Sequence, residues 1–112
     1  MFVMIASQGK TVDSQANPRF GRTPYFIKYD LEDQSWEVLK NAAINHNSGA
    51  GVAASQFIID HGASIAISGR FGPNATQTLR SAGIEMRTFA GSPLTISEVI
   101  YAYENGNLKE IE

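Results

Sequence analysis

The chain has 112 residues, 43% of them hydrophobic and 18% charged, with a formal net charge of −2 at pH 7. This is the length of one domain, spanning residues 1–112, and enough to bury about two thirds of the surface an unfolded chain exposes. So small a net charge gives no global attraction to nucleic acid or an anionic membrane, and the absence of cysteine excludes disulfides, thiolate nucleophiles and thiolate-ligated zinc or iron–sulfur sites.

The apolar start, Met1 to Ser7, lacks a basic lead-in and gives way to Gln8-Gly9-Lys10, unlike a signal peptide. No apolar run has the length of a membrane span, so a cytoplasmic protein is expected. Phe2-Val3-Met4-Ile5-Ala6 predicts a strand buried on both faces. Residues 25–30 and 35–41 predict two further strands, joined as a hairpin by Leu31-Glu32-Asp33-Gln34. From Gly49 the pattern becomes helical, with Val52, Ser55/Gln56 and Ile59 recurring at helical spacing and Gly62 as the stop. Ser64-Ile65-Ala66-Ile67-Ser68 predicts a buried strand, and Pro73 opens a helix that ends at Gly83. Residues 85–89 give a fifth strand. Thr95 and Glu98 form a capping box for a last helix with Ile96, Val99, Ile100 and Tyr103 on one face, ended by Asn105-Gly106.

The order βββαβαβα, with two βα crossovers of right-handed preference, predicts an α/β fold: a mixed five-stranded sheet with helices on both faces. Strands one, three, four and five then end at one edge, which also receives the N-termini of the helices. In open α/β sheets ligands bind at that edge. Lys10, Arg19, Arg22, Lys40, His46 and Arg70 fall there, against Asp13 and Glu98, whereas Asp30, Glu32, Asp33, Asp60 and Glu104 fall at the other. Helix N-termini add partial positive charge and unpaired N–H groups, so the upper edge is expected to hold an anion.

Individual residues leave alternatives open. The 8–24 loop is long for a compact domain, but Phe20-Gly21-Arg22-Thr23-Pro24 argues for order. Arg22 either offers its guanidinium fork to an anion or pairs with Asp13 or with carbonyls of its own loop. Gly69-Arg70-Phe71-Gly72-Pro73-Asn74 is either an anion-binding turn of convergent N–H groups or a tight turn that needs glycine geometry. It lacks the Lys-Ser/Thr pair of a phosphate-binding nucleotide loop, so no nucleotide is expected. His46 could ligate a metal, pair with an anion as His⁺, or stand idle in solvent. His61, at a helix end, suits terminal carbonyls. Arg-Phe-Gly occurs at 19–21 and again at 70–72, too short a repeat to indicate duplication. No clustered carboxylates sit on the central strands, and Ser7 and Ser68 lack an acid–His pair or a Gly-x-Ser-x-Gly elbow. The sequence therefore offers no catalytic constellation.

Ser7-Gln8-Gly9-Lys10, Asp13-Ser14, Phe20-Gly21-Arg22-Thr23-Pro24-Tyr25-Phe26, the 41–51 loop, Gly72-Pro73-Asn74-Ala75, Thr95-x-x-Glu98 and Asn105-Gly106-Asn107-Leu108 recur here in order. Together they resemble the dinitrogenase iron-molybdenum cofactor biosynthesis family, whose members are NifX-like, NifB C-terminal-like and orange-protein-like. The resemblance covers nearly the whole chain. It implies a ribonuclease-H-like fold and non-catalytic binding, storage or delivery of an anionic iron–sulfur or molybdenum-containing cluster or its precursor, related to nitrogen fixation, with cofactor-assembly proteins as partners. Orange-protein-type relatives hold a molybdenum–copper sulfide cluster without covalent protein ligands. Carried over by motif are Phe20, Gly21, Arg22, the His46 loop, Gly72, Pro73 and Asn74. This chain departs from the family in lacking cysteine and in placing Asn47-Ser48 where glycine-rich sequence often follows the histidine. Binding through contacts is therefore expected, with Lys10, Arg19, Arg22 and Arg70 supplying charge and His46 the single side-chain nitrogen ligand. The alternative is an interaction or regulatory module without metal, meeting its partner through Tyr25, Phe26 and Trp36.

Overall fold

The computed structural model describes residues 1–45, 48–90 and 93–111. Its elements are β1 (Phe2–Ser7), β2 (Tyr25–Asp30), β3 (Trp36–Lys40), α1 (Ala50–Asp60), β4 (Ala63–Ser68), α2 (Pro73–Ser81), β5 (Glu85–Thr88), α3 (Ile96–Glu104) and β6 (Lys109–Glu110). One mixed sheet runs in the order β3-β2-β1-β4-β5-β6. β1 pairs antiparallel with β2 and parallel with β4, β4 pairs parallel with β5, and β6 closes the far edge antiparallel to β5.

The central position of β1 and β4 explains their unbroken apolar character, since strands covered on both faces have no polar side to show. Met4, Ala6, Ala66 and Met86 face α1 and α2, where Ala54, Ile58, Ala75 and Leu79 complete one core layer with Phe20, Phe26 and Phe71. Val3, Ile5, Ile27, Ile65 and Ile67 face the other way and pack with Ile96 and Val99 of α3. Helices therefore cover both faces.

Two expectations need correction. The sheet has six strands, because Lys109–Glu110 adds to β5. This strand has two exposed residues and no readable periodicity. It is held by its neighbours: Leu108 is buried, and Ile111 N–H donates to the Met86 carbonyl at 2.9 Å. The buried stripe of α1 is Ala50, Ala54, Ser55 and Ile58; of the residues read at helical spacing Ser55 turns inward, whereas Val52 is 41% exposed. Small residues face inward because α1 lies close against α2: a Cβ added at Gly51 would stand 3.3 Å from the Cβ of Ala75.

Candidate functional site

The long 8–24 loop is stitched to the upper edge along its length. Gln8 N–H donates to Gln15 O at 2.9 Å, Ala16 N–H to Leu94 O at 2.8 Å and Asn17 N–H to Ala6 O at 2.7 Å. The buried Thr23 hydroxyl donates to Ser7 O at 2.9 Å. Asn41, 3% exposed, gives its amide hydrogens to Gly21 O at 3.1 Å and Thr23 O at 2.8 Å, and its Oδ1 accepts from Ala43 N–H at 3.0 Å. One buried amide thus ties the turn around Arg22 to the segment after β3. Sequence reading passed over Asn41, although a polar residue directly after a strand is the signal that could have found it.

These ties bring the two Arg-Phe-Gly tripeptides side by side. Arg19 and Arg70 form a parallel backbone bridge, the rings of Phe20 and Phe71 lie 4.9 Å apart between centroids, and Gly21 and Gly72 both line one depression. Its volume is about 410 Å³, inside the roughly 300–1,000 Å³ common for small-molecule sites. Arg19, Arg22 and Arg70 stand around it, and Ala50, Gly51 and Ala75 from the first turns of α1 and α2 form its floor. Gly21 permits the contact between loop and helix, since a Cβ there would meet the backbone N and Cα of Gly51 at 3.1 Å.

The helix ends differ in a way that matters for an anion. α1 starts at Gly49 and α2 at Gly72, and neither N-cap offers a side-chain acceptor to its first turn. α3, which contributes nothing to the depression, has a complete capping box between Thr95 and Glu98. The first-turn N–H groups of α1 and α2, with the positive ends of their dipoles, are therefore left for solvent or a ligand.

Charge is distributed to match. No carboxylate lines the depression, and among the described residues Arg19, Arg22 and Arg70 have no ion-pair partner. Ion pairs among the described residues join, away from the depression, the N-terminal amine with Asp30 and Glu32, and Arg87 with Glu85 and Glu110. At the lower edge burial, with smaller contributions from Glu104, Asp30 and Asp33, pushes the Tyr29 hydroxyl above its ordinary pKa.

The structure thus brings together Arg19, Phe20, Gly21, Arg22, Arg70 and Gly72, and among the described residues leaves Lys10, Pro73 and Asn74 outside the lining. Phe20 is 2% exposed and acts as the packed support beneath the rim. Lys10 is exposed at the same edge but its Nζ sits 5.8 Å over the Tyr25 ring. Pro73 and Asn74 lie exposed in the first turn of α2, outside the lining. His46 lies outside the described residues. One Arg22 Nη1 donor reaches Ile44 O at 3.0 Å, so the arginine anchors on the segment after β3, neither on Asp13 nor on its own loop, and keeps its remaining donors. His61 donates from Nδ1–H to Phe57 O at 2.7 Å, as a helix-end residue. Ala50, Gly51 and Ala75 were missed, because small apolar residues carry no chemical signature.

Among the described residues no three His, Cys, Asp or Glu side chains gather as a metal-ligand set, and no helix is long and apolar enough to cross a membrane. The aromatic interaction patch is not formed: Phe26 is wholly buried, and the β2–β3 register puts Tyr25 opposite Lys40 but Trp36 opposite Tyr29, at opposite ends of the hairpin.

Residues 1–106 match the sequence profile of the dinitrogenase iron-molybdenum cofactor family. The chain belongs to that family. It is similar to the apo form of the orange protein from Desulfovibrio gigas, with a TM-score of 0.92 and 28% identity over 98% of this chain and 92% of that one. It is also similar to a candidate NifB protein from Thermotoga, solved by NMR and placed in the DUF35 family, with a TM-score of 0.85 and 36% identity over 97% and 91% of the two chains. No curated protein matches the sequence.

Proposed function

We propose that this protein binds an anionic iron–sulfur or molybdenum-containing cluster, or its precursor, and passes it on without catalysing a reaction. The observation that carries this reading is the trio Arg19, Arg22 and Arg70, without carboxylate partners, around a depression floored by two glycine-capped helix starts. Membership of the cofactor family supports the class of cargo. The β3-β2-β1-β4-β5 portion of the sheet supports a ribonuclease-H-like reading of the fold within a single domain, with β6 as an addition. A cytoplasmic place, where cofactor-assembly proteins would meet it, suits the same reading.

The donor set suits contact binding. Guanidinium groups and amide N–H groups donate to sulfide or oxide on the outside of a cluster, while a chain without cysteine offers no thiolate to become a permanent ligand. Binding that rests on charge and hydrogen bonds is reversible, which a carrier needs. His46 is proposed as the one nitrogen ligand, acting after the charged rim has captured the cargo.

Anaerobic titration with tetrathiomolybdate, followed by its visible absorption, tests the proposal. Each charge-assisted hydrogen bond contributes about 1.5–3 kcal/mol, so Arg22→Ala and Arg70→Ala should each weaken binding roughly tenfold or more, and raised salt should weaken the wild type. His46→Ala should alter the bound spectrum more than the affinity. Equal binding by the wild type and a triple Arg19/Arg22/Arg70→Ala variant removes this depression as the site.

A further inference from the structure

The edge strand β3 combines three features that the anion site does not use. First, its free side is a row of unpaired backbone. Asn41 N–H donates to Pro24 O and Ser35 O accepts from Asp30 N–H, so the odd-numbered residues 35, 37, 39 and 41 turn toward β2. By the alternation of an antiparallel ladder, the N–H and C=O groups of Trp36, Val38 and Lys40 point away from the sheet. Secondly, the side chains of these same residues share one face, since hydrogen-bonding direction and side-chain direction both have period two. It is the α3 side of the sheet, because Val38 lies opposite Ile27 and Ile27 belongs to that core. There Trp36 is 42% and Val38 36% exposed. Thirdly, the molecule is polarised along the strands, with the cationic rim at the Lys40 end of β3 and Asp30, Glu32 and Asp33 at its Trp36 end.

We infer that β3 pairs antiparallel with β3 of a second copy of this chain, centred on Val38, to form a continuous twelve-stranded sheet. In that register the outward groups of Val38 bond those of the partner's Val38, and Trp36 and Lys40 bond Lys40 and Trp36 of the partner subunit. Each tryptophan then lies beside the opposing lysine, where an ammonium is attracted to the indole face, and the two valines meet in the middle. Like charges are not opposed: Glu37 faces the partner's Leu39. The antiparallel arrangement also lays the acidic end of one copy beside the Lys40 end of the other and points the two cationic rims in opposite directions. A long unpaired edge carrying exposed apolar side chains is a template for such pairing, and the two-fold contact is self-complementary. The other sheet edge, β6, has only two residues.

Sedimentation velocity over a wide range of protein concentration tests this, with the emission of Trp36, the single tryptophan, as a second readout. A concentration-dependent dimer is expected, with tryptophan emission moving to longer wavelength on dilution. Val38→Pro removes an outward N–H and spares the β2–β3 ladder, and edge strands tolerate proline there. It should yield a monomer whose circular dichroism is unchanged. Trp36→Lys, which sets lysine against lysine, should do the same. A wild type that stays monomeric at the highest concentration overturns the inference, as does a dimer that persists in both folded variants. Neither result bears on anion binding, because the depression lies on the opposite side of the sheet at its upper edge.

Discussion

The ring of Phe20 lies 4.9 Å from that of Phe71, tilted by 40°, and this contact holds together two loops that meet in the chain only after fifty residues. Each ring is the centre of an Arg-Phe-Gly tripeptide, with an arginine before it at the rim of the depression and a glycine after it in the wall. The spacing of Arg19 from Arg70 therefore depends on how well the two phenylalanines pack. Phe20→Ala should cost about 3–5 kcal/mol of stability through the cavity it leaves, read as a lower urea midpoint. Phe20→Leu, which fills more of the space, should cost less while still weakening thiomolybdate binding. Binding untouched by either change would show that the arginines are positioned independently of the rings.

Asn41 is the second support. With Asn41→Ala the carbonyls of Gly21 and Thr23 lose their donor inside the protein, at about 1–3 kcal/mol for each one left unsatisfied. Amide hydrogen exchange should rise across residues 20–24 and 41–45, with β4 and α2 unchanged. Exchange that stays slow in both segments would mean that the amide bonds are replaceable.

Alkaline stability should report the acidic lower edge. Burial first, then Glu104, Asp30 and Asp33, hold the Tyr29 hydroxyl above the ordinary value of 10.0, and burial with Glu85 raises that of Tyr103. Because the folded pKa exceeds the unfolded one, the unfolded chain releases its proton first as pH rises. Stability is thus retained below pH 10 and falls between there and the folded value. Tyr29→Phe should flatten this loss in urea titrations run at successive pH values. An identical slope in wild type and variant counts against a buried, negatively surrounded hydroxyl.

Thr95→Ala separates stability from binding. The Thr95 hydroxyl accepts from Glu98 N–H at 3.2 Å, and the Glu98 carboxylate accepts from Thr95 N–H at 2.8 Å. Losing this box should cost about 0.5–2 kcal/mol, seen as a lower melting temperature. Thiomolybdate affinity should not change, since α3 lies outside the depression. A parallel loss of affinity would tie α3 to the site.

Much of the fold was legible along the chain. The apolar runs of β1 and β4, Pro73 at the start of α2, the Thr95–Glu98 box and the positive-φ stop at Gly62 are local signals, because each depends on neighbours within one turn or one strand. They suffice to order eight of the nine elements and to direct the strands so that cationic residues gather at one edge. What escaped was whatever depends on distant partners. β6 exists only because β5 offers it an edge. The inward face of α1 is set by the width of its gap to α2.

The sequence by itself determined the order of the elements up to α3, the polarity of charge between the two edges, the absence of thiolate chemistry and the motif set of the family, since all of these reside in residue types and short spacings. Only the tertiary structure decided which members of that edge converge: it paired Arg19 with Arg70, closed Gly21 onto Gly51, set Lys10 apart over Tyr25 and buried Phe26. The physical reason is that a site is made by close approach between segments far apart in the chain, and steric fit between backbones has no counterpart in local periodicity.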